Sequence, residues 1–205
     1  LLDFDLLKVH PQMVNHGMGY YERWFSQGYS SQWGFNVGTP RQVDKYRAQE
    51  LAYGHAGFVG SQVTDDVQWV AKEHHMMHPA QRLYGTAKVT DISYEVQGQL
   101  VPIEIALALG DTSRQRITYD SGLILWVNWN QESWEVEGRT LPQWGYLALG
   151  PGTEVFSGLH GSVLADYSEC PDFLFADART SFDMPYANPP KQIEPVLADF
   201  QYLGG

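Results

Sequence analysis

The segment before Pro40 holds side-chain types that polar chemistry needs, set close together: Asp5, His10, His16, Glu22 and Arg23, with Tyr20, Tyr21, Trp24 and Trp33 among them. His10 and His16 flank the turn 11–15. An imidazole titrates near neutrality, so either can pass a proton or hydrogen-bond a ligand hydroxyl; the competing use is a buried histidine with its hydrogen bonds satisfied. Glu22 and Arg23 put a paired charge inside a loop rich in glycine and tyrosine, where it has little packing role, its plain alternative being a salt bridge that anchors the loop. The rings of Tyr20, Tyr21, Trp24 and Trp33 suit the C–H-rich face of a pyranose, against core or interdomain packing.

Other charged positions read less chemically. Glu50 follows Arg47 by one helical turn, a spacing that more often makes an ion pair on a helix surface or from helix to loop. His74 and His78 lie at i, i+4, but two ligands without an HExxH order or a signalled third ligand do not make a metal site; histidines at a helix end that complement the macrodipole are the simpler reading. His55 falls on an apolar stripe and reads as structural. Gly150-Pro151-Gly152 is a turn and lacks the following helix of a phosphate loop.

The elements that must position these groups follow from pattern. Leu1–Val9 is a short strand entered midway and stopped at His10-Pro11, which favours an N-terminally truncated chain. Residues 12–38 form an elaborate loop, interrupted by glycines at 17, 19, 28, 34 and 38. Thr39-Pro40 opens a helix expected to end at Gly60, with Gly54 and Gly57 as close-packing positions. Thr64-Asp65-Asp66 caps a second helix expected to stop at Pro79. A hairpin turning at Gln97-Gly98 is expected to carry its return strand through Val101, Ile103 and Ile105. From Ile117 to Gly152 short strands alternate: Leu123, Leu125 and Val127 on one face, Ile124, Trp126 and Asn128 on the other, with turns at Asp120-Ser121-Gly122 and Glu137-Gly138. Trp126 and Trp134 read as core. Shorter strands near 154–156, 162–167 and 172–176 complete the pattern.

Composition narrows the partners. Thirteen basic against 24 acidic residues give a formal charge of −11, which repels a phosphate backbone, so nucleic acid is not expected. No apolar run reaches the roughly 18 residues of a membrane span. A single cysteine, Cys170, excludes an internal disulfide framework. Aromatics at 14% fit a globular chain with sugar-facing surfaces, although cores use them too.

A polar strand end, an aromatic loop, a capped helix of the kind RAQELAYGHAGFVG, a second helix and then sheet together resemble the C-terminal part of large glycoside-hydrolase-like proteins. The segments ITYDSGLILWVNWN, WEVEGRTLPQWGYLA and VLADYSECPDFLFADAR are similar to the β-sandwich that follows the (β/α)8 barrel in those proteins. The resemblance implies an α+β chain: a partial (β/α) barrel segment over residues 1–80, followed by an antiparallel β-sandwich over 81–205. It implies an upstream portion of the same polypeptide, a polysaccharide or glycoconjugate substrate, hydrolysis by two carboxylates, no cofactor, no metal, and an extracellular or periplasmic location. Glu22, Asp5 and His10 are then the catalytic candidates, and His16, Tyr20, Tyr21, Arg23, Trp24 and Trp33 the substrate-binding ones. Two rivals remain: a noncatalytic carbohydrate-binding or scaffold module using the loop aromatics and exposed sheet tryptophans, and a His-rich metal hydrolase.

Overall fold

A computed structural model of the chain describes residues 40–54, 67–161 and 163–179. The first helix, α1 (Pro40–Tyr53), begins where Pro40 can occupy the first helical position without losing a hydrogen bond. It ends sooner than the glycine at 60 suggests. Gly54 takes a left-handed φ of +65° and its N–H bonds the Leu51 carbonyl at 3.2 Å, so Gly54 is the stop; it is also the close-packing position expected, a Cβ there standing 3.0 Å from the Tyr119 hydroxyl. Ala48, Leu51 and Ala52 are buried, as the stripe predicts. Positions 55–60 lie outside the described residues.

Helix α2 (Val67–Tyr84) runs through Pro79 instead of stopping there. A proline inside a helix costs about 3 kcal/mol. The same face buries Met76, Met77, Ala80 and Tyr84, and each large apolar side chain hidden from water returns about 1.5–3 kcal/mol. Tertiary burial therefore outweighs the local break.

Among the described residues ten strands form one antiparallel sheet: β1 (Val89–Val96), β2 (Gln99–Pro102), β3 (Arg114–Tyr119), β4 (Ile124–Asn128), β5 (Trp134–Val136), β6 (Arg139–Leu141), β7 (Tyr146–Gly150), β8 (Thr153–His160), β9 (Val163–Cys170) and β10 (Phe173–Arg179). Eight of them curl into a half-barrel in the order β10-β9-β8-β7-β4-β3-β1-β2, and the β5–β6 hairpin joins through Thr140 opposite Leu159. The turns are those the sequence signals. Gln97-Gly98 and Glu137-Gly138 both have two consecutive positive φ angles, the twist that a tight hairpin needs.

The return strand β2 is shorter than expected. Pro102 has no N–H to donate to a ladder, and Ile103–Leu109 instead forms a third helix, α3, closed by left-handed Gly110. Ile103 and Ile105 are thus helical, the β-branched preference for a strand yielding to the flanking proline and glycine.

The alternation in β4 separates two apolar clusters. Leu123, Leu125 and Val127 join α1 and α2 on one face, while Trp126 packs on the other with Trp134, Val136, Leu141, Leu147 and Phe156. Asn128 is buried and donates to the carbonyls of Glu132 and Leu141 at 2.8 and 2.7 Å, tying the β4–β5 loop to β6. The fold is α+β. Among the described residues neither a parallel strand–helix–strand unit nor a second sheet packed face to face is present: the helices cover one face of one continuous sheet. α2 spans residue 80, and the cluster that buries Ala80 also buries Ile117 and Val155. No described helix is long and apolar enough to cross a membrane.

At Gly158, a Cβ would stand 2.9 Å from the Thr140 carbonyl oxygen, where backbone cannot give way cheaply. Gly158→Ala should push β6 off β8 and lower stability by about 1–3 kcal/mol in urea denaturation. An unchanged midpoint would show that the hairpin is not seated as described.

Candidate functional site

Strand register lines up a row of polar side chains under the helices. Asp177 pairs with Asp166, Asp166 with Ser157, and Ser157 with Tyr146; the row continues through Val127 and Gln115 to Tyr94. All seven are buried, and strand alternation puts them on one face. The helices answer with charge. Arg47 of α1 and Lys72 and Glu73 of α2 are buried against this row.

Arg47 is fully inaccessible and forks onto Glu73: its Nε donates to both carboxylate oxygens at 3.0 Å, and its Nη2 to Oε1. Its Nη1 reaches Asp166 Oδ2 at 3.5 Å. The Lys72 ammonium lies 2.7 Å from the same Asp166 oxygen and also pairs with Asp177. Ser157 donates its hydroxyl to Asp166 Oδ1 at 2.7 Å. One carboxylate, Asp166, thus receives charge-assisted bonds from α1 and α2 and a neutral one from β8. Arg47 does not make the surface helix pair that its spacing from Glu50 implied, because both residues are fully buried and Arg47 turns to the next helix and the sheet.

The chemistry of this cluster is that of a clamp. Both oxygens of Asp166 hold hydrogen-bond donors, which is how a charge is kept in a dry interior without neutralising. The Tyr146 hydroxyl beside it has no hydrogen-bond partner; burial pushes its pKa well above the ordinary tyrosine value, with Asp166, Glu73 and Asp44 acting in the same direction and Arg47 against them. It stays neutral. Farther along the row, Gln115 accepts from Trp129 Nε1 at 3.0 Å.

Asp5, His10, His16, Tyr20, Tyr21, Glu22, Arg23, Trp24 and Trp33 lie outside the described residues, as does His55. Of the sheet tryptophans, Trp126 and Trp134 are buried, as expected of core, and Trp129 and Trp144 are half-buried, so none of these four offers an open platform. The histidines of α2 are not at a helix end, since the helix continues to Tyr84; the macrodipole reading loses its basis. His74 is exposed and stacks on His78, their centroids 4.7 Å apart. Burial, with His74 and Arg82 nearby, lowers the His78 pKa against the pull of Asp172. Among the described residues no group of three or more His, Cys, Asp or Glu side chains is placed to hold a metal ion. Of the clamp residues, Arg47 reads from sequence as a partner of Glu50, while Lys72, Asp166 and Asp177 are given no role; the signal was the strand LADYSEC, which places Asp166 and Ser168 at buried positions. No family model, curated protein or solved structure matches the chain.

Asp166→Asn strips the charge that Arg47 and Lys72 share, and should cost about 3–5 kcal/mol in chemical denaturation. The exposed pair Arg82–Asp172 is the reference: Arg82→Ala should cost no more than about 1 kcal/mol. Equal losses in the two variants would reject the clamp.

Buried tyrosines set the alkaline limit. Burial, before any other cause, raises the pKa of Tyr94, Tyr119, Tyr146 and Tyr167 above the ordinary value near 10. Groups raised in this way contribute stability that is complete below the unfolded value and lost as pH rises past it. Stability should therefore decline above about pH 10, with the phenolate absorbance of these residues appearing only as the fold is lost. Titration of every tyrosine before loss of ellipticity would contradict their burial.

Proposed function

We propose that this chain is the C-terminal portion of a carbohydrate-active, glycoside-hydrolase-like protein. Residues 1–80 supply the last βα units of its (β/α)8-type domain, and residues 81–205 its antiparallel β-domain, built on the curled sheet. The observation that carries this reading is the buried clamp. It joins α1 and α2 to the inner face of β8–β10 through charges that tolerate little displacement, which is what a β-domain serving as a rigid support requires. The aromatic loop 12–38 leads directly into α1, so its exit is tethered to a clamped helix.

In this reading Glu22, Asp5 and His10 act on the glycosidic bond, and His16, Tyr20, Tyr21, Arg23, Trp24 and Trp33 hold the sugar. The substrate is a polysaccharide or glycoconjugate met outside the cell or in the periplasm, and the chemistry needs no organic cofactor. The partner that completes the site is the upstream portion of the same polypeptide.

The test uses the longer natural polypeptide on a panel of polysaccharides, reading reducing-end release. Glu22→Gln should lower turnover by about 10²–10⁴-fold without shifting the thermal midpoint. Wild-type turnover in that variant would remove Glu22 from the site. No hydrolysis by the parent, combined with retention on insoluble polysaccharide that Trp24→Ala and Trp33→Ala abolish, would replace the enzyme with a noncatalytic binding module.

A further inference from the structure

We propose that His74 and His78 form a two-imidazole chelate for a divalent transition-metal ion, taking Cu2+ ahead of Ni2+ or Zn2+, on the outer face of α2. Residues four apart on a helix project one above the other from the same face, the arrangement by which two histidines on a helix share one ion. Here the two rings lie 4.7 Å apart between centroids and within 18° of parallel, close enough to share an ion once one imidazole turns to bring both in-plane lone pairs to the same point. His74 is exposed and His78 half-buried, leaving the remaining coordination positions open to water.

The third histidine of the cluster, His75, is held away by packing. Its ring lies edge-on against Phe173 at 4.5 Å and stacks on Phe175 at 5.2 Å, with Nδ1 donating to the Ala71 carbonyl. The charged groups around His78 are Arg82, one turn on, and Asp172 in the turn before β10; these two pair with each other on the surface. Asp172 therefore offsets the ion's charge at a distance and is not a direct ligand.

Two imidazoles with water select for metals that favour nitrogen donors, and the ordinary order of affinity among them places Cu2+ above Ni2+ and Zn2+. A bound ion would brace α2 across one turn, just before Pro79 removes an N–H from the helix ladder.

The experiment is calorimetric titration of the whole chain with each of the three ions, comparing wild type with His74→Gln, His78→Gln and, as a control remote in the fold, His160→Gln. The two helix variants should each weaken Cu2+ binding about tenfold or more, since either leaves a single imidazole where a chelate stood. His160→Gln should bind as the wild type does. Wild-type affinity in His74→Gln or His78→Gln, or an equal loss in His160→Gln, would overturn the proposal. Electron paramagnetic resonance of the Cu2+ form gives an independent reading: two equivalent nitrogen donors that fall to one in either helix variant support the site, and a spectrum unchanged by both variants rejects it.

Discussion

The pairing of Arg47 and Lys72 with Asp166 is the constraint on which the rest of the described structure hangs. It brings α1 and α2 to one carboxylate on β9, 119 residues along the chain from Arg47. Burying these charges is not a cheap source of stability, since the desolvation cost of ions in a dry interior rivals their attraction. What such a cluster supplies is selectivity among packings. An apolar helix face can slide on a sheet by a residue with modest loss, whereas a slide that separates Arg47 from Glu73 or Lys72 from Asp166 strands a charge without water. The helices consequently have one acceptable seat.

The sheet can accept this cluster because both of its faces are occupied in different ways. One face is apolar around Leu125, Val127, Ile117 and Val155, and carries its buried charges toward β9 and β10. The other face is closed by the β5–β6 hairpin, whose Trp134, Val136 and Leu141 cover Leu147 and Phe156. Arg139 of that hairpin lies over the Phe156 ring at 4.5 Å and bonds Glu154, so the outer face is finished with a cation that also seals an aromatic. The strands holding Ser157 and Asp166 are therefore backed by packed side chains and cannot yield outward when the helices bear on them.

Much of this was legible in the sequence where the governing chemistry is local. Glu137-Gly138 and Gln97-Gly98 specify tight turns by themselves, and the alternation through Leu123–Asn128 assigns the faces of β4 without knowledge of its neighbours. What was misread was decided at long range. Gly54 and Gly60 are both plausible stops for α1, and only the fold places the Tyr119 hydroxyl 3.0 Å from where a Cβ of residue 54 would stand. Pro79 is a break by every local rule, yet Ala80 and Tyr84 belong to the core beyond it. Asp166 and Asp177 have no role legible in the sequence, because their meeting beneath two cations depends on strand register and on helices distant in the chain.

The clamp also bears on precision. A pair of catalytic carboxyl groups must be held within a fraction of an ångström, and loops do this poorly unless their ends are fixed to rigid elements. Pro40 is the first residue of α1, and Arg47 is seated two turns further on. On the proposed reading, catalytic groups before Pro40 would take their positional accuracy from this cluster. A clamp exposed to solvent would be weakened by salt and water, and would transmit that looseness to those groups. By contrast, His74 and His78 stand on the opposite, solvent-facing side of the same helix, where a bound ion can stiffen α2 without entering the clamp.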